Sequence, residues 1–187
     1  MPKVIDDEKI FDAVMRTIIE RGYAGATTKV LADAANMSEV TLFRKFGSKS
    51  ELVKRAIQAL VEQTDFESAT KYTGNIQADL MRVLQAYQGS VVMHEKFFAS
   101  LFSEISHTPE LADSFSQPLA LFRSIGELLT RYQKDGLLRK EHPYHAVASL
   151  LGPLVYTAMM RSTISGNFIP PIELKDHIAL YLEGRLS

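Results

Sequence analysis

The chain has no cysteine, so disulfide bonds and thiolate chemistry are excluded and a reducing compartment is expected. It has no long hydrophobic run either: the longest, Ala146 to Met160, is 15 residues and is interrupted by Ser149, Gly152-Pro153 and Thr157. A membrane-spanning helix needs about 20. Asp6, Asp7 and Glu8 stand where a secretion signal would be basic and then apolar, so a soluble, cytoplasmic protein is expected. There is no phosphate-cradling glycine loop, no G-x-S-x-G elbow, no repeat and no strand-like alternation. What is present is ordinary globular material, 46% hydrophobic and 23% charged over 187 residues, which excludes disorder and suffices for one or two domains with a substantial core.

The net charge of −1 is unevenly placed. Residues 1–55 hold 10 Lys+Arg against 8 Asp+Glu, and between Val40 and Arg55 five bases face one acid. That local excess is what attraction to a phosphate backbone requires.

The same stretch packs three helix starts into the residues from Thr27 to Glu51. Thr27 or Thr28 can cap a short helix with Val30, Leu31, Ala34 and Ala35 inward; Asn36 tolerates the left-handed turn that ends it, and small Ala32 permits a close crossing. Ser38 caps a second helix in which Met37, Leu42 and Phe46 face inward, leaving Glu39, Thr41, Arg44 and Lys45 outside. Gly47 ends it, and Ser48-Lys49-Ser50-Glu51 has the pattern of a capping box opening a third, longer helix. Helix, turn and short basic helix is the arrangement that seats a recognition helix in the DNA major groove. Before these comes an amphipathic helix, Asp6 to Arg21, with Ile10, Phe11, Val14, Met15, Ile18 and Ile19 as its apolar stripe and Gly22 as its end.

Beyond Ser48 the helical pattern passes through Leu52, Val53, Ala56, Ile57, Leu60 and Val61, breaks at Thr73-Gly74-Asn75, and resumes to Tyr87. An aromatic-rich stretch follows to Ile105; Thr108-Pro109-Glu110 restarts the chain, and a helix with Phe115, Leu119, Phe122, Ile125, Leu128, Leu129 and Tyr132 ends at Lys134-Asp135-Gly136. Leu137 and Leu138 fill the next junction. A helix from Pro143 to about Ser165, kinked at Gly152-Pro153, and a last short one within Ile172 to Leu186 complete an all-α chain of about nine helices. The last two are apolar on more than one side, including Met159 and Leu180, which suits either a wholly buried helix or a partner helix.

An amphipathic first helix, Gly-Tyr-x-Gly-Ala-Thr-Thr from Gly22, Leu-Ala-x-Ala-Ala-Asn-Met-Ser from Leu31, and Val-Thr-Leu-Phe-Arg-Lys-Phe-Gly-Ser-Lys-x-Glu-Leu from Val40 resemble the TetR family of bacterial transcriptional repressors. The resemblance covers about the first 55 residues; the rest is similar in length and helical pattern. It implies a helix-turn-helix DNA-binding domain over 1–48, a helical ligand-binding and dimerisation domain over 49–187, and a homodimer through a four-helix bundle of the last two helices. It also implies a repressor that binds a pseudo-palindromic double-stranded DNA operator and is released by a small-molecule inducer.

On this reading Ser38, Glu39, Val40, Thr41, Arg44 and Lys45 face the groove, Thr28 and Lys49 touch phosphate, and Thr27 assists. Arg44 or Lys45 suits guanine, Glu39 cytosine, and a Val40 or Thr41 methyl thymine. Phe43 stands where the family often has a tyrosine reaching phosphate, and Asn36 where glycine is usual. Met93, Phe97, Phe98, Leu101, Phe102, Phe122, Tyr156 and Met160 read first as core; the resemblance adds a mostly apolar inducer pocket between central helices, with His94, Glu104, His107, Arg123 and Arg161 as polar handles. No catalytic residue, resident metal or cofactor is expected. The competing reading is a ligand- or metal-binding helical protein of the ferritin-like class: Glu104-x-x-His107 has the di-iron spacing on a helix but occurs once, and His142 and His145 with Asp135 or His177 could be proposed as a zinc site, although Pro143 starts a helix between the two histidines. A second rival is an architectural DNA binder without an inducer.

Overall fold

The structure, a computed structural model, describes residues 6–90, 92–163 and 169–186. Ten α-helices occur among them: α1 (Asp7–Gly25), α2 (Thr28–Ala34), α3 (Glu39–Phe46), α4 (Lys49–Glu62), α5 (Phe66–Ala69), α6 (Ile76–Ser90), α7 (Glu95–Phe102), α8 (Ser116–Lys134), α9 (Pro143–Thr163) and α10 (Leu174–Leu182). Two 3-10 segments, Val92–His94 and Pro109–Phe115, bring the total above the nine or so that the sequence suggested. The chain is all-α, with a single isolated antiparallel bridge, Leu138 to Leu186, among the described residues. It divides into two compact units, Met1–Glu62 with Lys96–Gln117, and Gln63–Glu95 with Pro118–Ser187.

In the first unit α1 begins under Asp6, whose carboxylate accepts the Glu8 N–H at 3.3 Å, and buries Ile10, Val14, Met15 and Ile18. Ile19 was expected in that stripe but is 40% exposed, because Thr17 and Ile18 already fill the inward arc there. At Gly22 the backbone leaves the helix with φ 71°, a conformation other residues pay strain to adopt, and one further turn carries Tyr23 inward. Thr27 caps α2 through the Val30 N–H at 3.4 Å. The inward set of α2 is Leu31, Ala32 and Ala35; Ala34 turns to solvent instead, since seven residues present less than two full turns to α1. Asn36 takes φ 54°, the left-handed turn its amide side chain tolerates.

Ser38 caps α3, and Leu42 and Phe46 are buried beneath it, while Met37 is half-buried. Ser48 caps α4 by accepting the Glu51 N–H at 3.1 Å. The reciprocal arm expected of a capping box is replaced: the Glu51 carboxylate turns along the helix to Arg55 at 3.4 Å and Lys54 at 3.9 Å. α4 buries Leu52, Val53, Ala56, Ile57 and Leu60, and packs on α1 from one side. On another side it meets the Pro109–Phe115 segment, where Leu111 and Phe115 are buried and the Ser114 hydroxyl donates to the Ser50 carbonyl at 3.3 Å. Each such aliphatic side chain contributes about 1.5–3 kcal/mol by burial.

The second unit holds α5, which the polar composition of Gln63–Tyr72 concealed, and α6, capped by the Asn75 side chain on the Ala78 N–H at 3.2 Å. α6 packs on α5, α10 and the Val92–His94 segment. On α8, Leu121 is buried and Leu119 is 56% exposed, the reverse of the expected stripe, because the Pro109–Phe115 segment is 3-10 and shifts the helical register after it. At Gly126, an added Cβ would meet Pro143 at 3.4 Å and Val147 at 3.7 Å, so α8 and α9 approach closely there. Leu138 plugs the α8–α9 junction as expected, but Leu137 is 42% exposed. α9 continues through Pro153, and His177 from α10 reaches the Leu150 carbonyl at 2.7 Å. The expected end of that helix near Ser165 lies outside the described residues.

Candidate nucleic-acid interface

Why α3 presents a polar face follows from its eight residues, Glu-Val-Thr-Leu-Phe-Arg-Lys-Phe. Leu42 and Phe46 stand four apart and are buried, which turns Glu39, Val40, Arg44 and Lys45 to solvent and leaves Thr41 and Phe43 half-buried. Val40 is 77% exposed, a large apolar side chain displayed where nothing in the unit needs it. The Ser38 hydroxyl accepts the Thr41 N–H at 3.2 Å and shares a hydrogen bond with the Thr41 hydroxyl at 2.7 Å, so both side chains help to start the helix. Arg44 is exposed and has no ion-pair partner among the described residues.

The other two bases of the expected surface are held by their own fold. Lys45 forms an ion pair with Asp7 at the start of α1, with 38% and 47% of the two side chains exposed. Its ammonium also lies 5.4 Å from the Phe46 ring centroid. Lys49 donates to the Tyr23 carbonyl and sits 3.9 Å above the Tyr23 ring. Burial lowers its pKa, and the nearby Glu104 carboxylate works against that fall. Burial first, and then the charges of Glu110 and Glu104, raise the pKa of the Tyr23 hydroxyl. Thr27 is spent on capping, and Thr28, the first residue of α2, is half-buried.

Asp7 and Tyr23 were not singled out by sequence. The acid enters the sequence reading only as a residue that speaks against a secretion signal, and the tyrosine only as part of a motif. The pairing shows only once the helices pack: Asp7 and Phe11 are one turn apart on α1, and the Phe11 ring packs 5.8 Å from Phe46, the neighbour of Lys45.

The candidate ligand residues fall in both units. Phe97, Phe98 and Leu101 are buried in the first, with the Phe97 and Phe98 rings 5.6 Å apart; Phe102 is 46% exposed, its ring 4.9 Å from Phe115. Within the second, Phe122 and Met160 are half-buried and Tyr156 is 66% exposed. The Met93 side chain lies outside the described residues. A recess of about 30 Å³ in the second unit, lined by Gln88, Glu95, Leu154, Thr157, Ala158 and Arg161, involves none of the eight and has room for one water. Glu104 and His107 lie in the turns after α7, so the di-iron spacing is not realised on a helix face. The His142 and His145 rings are exposed, with centroids 5.3 Å apart; no cluster of three or more His, Asp or Glu suited to a metal occurs among the described residues. Among them, too, no helix is long and apolar enough to cross a membrane.

Residues 10–56, which contain this whole surface except Asp7, match the family model described as bacterial regulatory proteins, tetR family. An uncharacterised HTH-type transcriptional regulator of Bacillus subtilis, YvkB, is 28% identical over 137 residues, 69% of this chain and 60% of its own length. A relative from Mycobacterium tuberculosis with the same description, Rv1556, is 28% identical over 57% of this chain and 52% of its own. The chain therefore spans little more than half the length of the curated relatives it matches. Among solved structures, the TetR-family regulator PfmR from Thermus thermophilus has the same fold, with a TM-score of 0.66 at 17% identity over 94% of this chain and 95% of its own. The family match falls on the capped helix-turn-helix just described, and the shared fold extends over nearly the whole chain: residues 10–56 match the tetR-family helix-turn-helix, on an all-helical fold like that of solved tetR-family regulators.

Proposed function

We propose that this regulator is a repressor that binds a pseudo-palindromic operator as a homodimer and is released by a mostly apolar small molecule. The observation that carries the DNA arm is α3: Leu42 and Phe46 anchor it in the core while Glu39, Val40 and Arg44 project into solvent. A second copy would set two such helices one helical turn of DNA apart, about 34 Å. Tyr156, Met159 and Leu180, exposed on α9 and α10, supply apolar surface for that pairing. AibR, a solved structure with a TM-score of 0.64 at 14% identity over 96% of this chain and 97% of its own, is described in complex with isovaleryl coenzyme A and operator DNA, which supports looking for both kinds of partner.

The ligand arm rests on the aromatic residues of α7 to α9 and on the family. A ligand that releases DNA must prefer the DNA-incompetent state by about 10⁴ to move a population from 1:99 to 99:1. The test is fluorescence anisotropy with DNA from beside the protein's own coding region, under excess random competitor, for wild type and Arg44→Ala. Competition-resistant binding that the variant loses is expected. Equal retention by both would overturn the role given to Arg44, and no preference over random DNA even after selection from a random-sequence pool would overturn the sequence-reading function.

A further inference from the structure

We propose that Asp7 is an intramolecular counter-charge for the DNA-facing surface: its carboxylate occupies Lys45 in the place a phosphate would take, and so lowers affinity for DNA and its dependence on salt. This rests on the DNA-binding reading of α3.

The juxtaposition is built into the packing. Asp7 and Phe11 are four residues apart on α1, and Lys45 and Phe46 are adjacent at the end of α3. The Phe11 ring lies 5.8 Å from the buried Phe46 ring, and this contact delivers the Asp7 carboxylate to the Lys45 ammonium. Phe46 is buried and Phe11 half-buried, so a packed contact between α1 and α3 brings the two charged side chains together at the surface. Asp6, its neighbour, is engaged differently, accepting the Glu8 N–H as the cap of α1, so the two adjacent acids have separate tasks.

The consequence is electrostatic. A lysine that neutralises a phosphate releases condensed counterions, and log K falls with log salt by about 0.9 per phosphate so contacted. A lysine already neutralised by a carboxylate contributes little of this. Arg44, without such a partner among the described residues, contributes in full. Of the bases on this surface, Lys45 is held by a charge and Lys49 by a carbonyl and a ring, which leaves Arg44 as the exposed cation of α3 with no counter-charge. Binding then depends more on what α3 touches and less on charge alone.

The experiment measures binding of a mixed-sequence DNA duplex between 50 and 200 mM salt by anisotropy, for wild type, Asp7→Asn, Lys45→Gln and the double variant, with circular dichroism melts to verify folding. Asp7→Asn should bind more tightly and steepen the slope by about 0.9, so its advantage over wild type shrinks about 3.5-fold across that range. Lys45→Gln uncovers the Asp7 carboxylate and should weaken binding in the wild-type background, while the double variant, with neither charge, should return to the wild-type affinity and slope. Salt-sensitive binding that Asp7→Asn leaves unchanged, or a double variant that keeps the whole Asp7→Asn gain, would overturn the proposal while leaving DNA binding intact. No salt-sensitive binding by wild type or Asp7→Asn would overturn the DNA reading and the proposal together.

Discussion

The carboxylate of Asp79 is the most heavily engaged polar group of the second unit, and its removal has a calculable outcome. Asp79 is fully buried at the start of α6 and accepts four hydrogen bonds: from the Thr73 N–H at 2.8 Å, the Thr73 hydroxyl at 2.5 Å, Arg82 at 2.8 Å and the Tyr132 hydroxyl at 2.6 Å. Burial alone would raise its pKa; the donors from Thr73, Tyr132 and Arg82 together outweigh burial and hold it below the usual carboxylate range. Asp79→Ala strands the buried Tyr132 hydroxyl, at a cost of about 1–3 kcal/mol, and releases Arg82, whose side chain is 36% exposed and open to water. Tyr132→Phe loses one bond to a charged acceptor, about 1.5–3 kcal/mol. Since both changes break one network, the double variant should lose less than the sum, by about 1–3 kcal/mol. Urea unfolding followed by circular dichroism at pH 7 measures all three. The folded carboxyl has the lower pKa, so its contribution is complete above the unfolded value of about 3.9 and is lost as pH falls through the folded one. Asp79→Asn should therefore remove part of the acid sensitivity. A cost below about 1 kcal/mol for Asp79→Ala, or strict additivity with Tyr132→Phe, would refute the network account.

Asn36→Ala should destabilise the first unit by about 1 kcal/mol because φ is 54° there, whereas Asn36→Gly should not; thermal melts of both variants check it. Leu180→Glu tests the proposed homodimer: it places a charge on a side chain that is 68% exposed, so the fold should be retained, and sedimentation at micromolar protein should show a dimer for wild type and a monomer for the variant. The Tyr181 hydroxyl donates to the Ala146 carbonyl at 3.2 Å, and burial pushes its pKa up to about 12. A raised tyrosine favours the folded, protonated state until the unfolded value near 10 is passed, so wild-type stability should fall from pH 10 towards 12, and less so in Tyr181→Phe.

The N-terminal helices were readable because their signals are local. Thr27, Ser38 and Gly47 act through bonds or dihedrals spanning a few residues, and Asn36 needs only its own φ. The misreadings share a cause in distance along the chain. Ile19, Ala34, Leu119 and Leu137 have apolar side chains at plausible spacings, and only the placement of neighbouring elements leaves them exposed. α5 is four residues of unremarkable composition, held by Asp65 on the Ser68 N–H at 3.0 Å, too short for a periodic signal. At the interface, sequence identified which residues are basic and outward, but not that Lys45 is met by Asp7 38 positions earlier or Lys49 by Tyr23 26 positions earlier. Composition gives no warning of such partners.

The covering of α4 by Pro109–Phe115 affects how the molecule is made. Leu111 and Phe115 close one side of a helix that ends nearly fifty residues earlier, and Ser114 ties back to Ser50. A ribosome synthesising this chain delivers the whole helix-turn-helix and then the stretch Gln63–Glu95, which belongs to the other unit, before the closing segment appears. At about 5–20 residues per second, α4 spends several seconds with that face unmatched. A fragment stopped after Glu62 would keep it so permanently. The helix-turn-helix end of this protein is therefore completed by residues that lie outside it in sequence, and its last contacts wait for their synthesis.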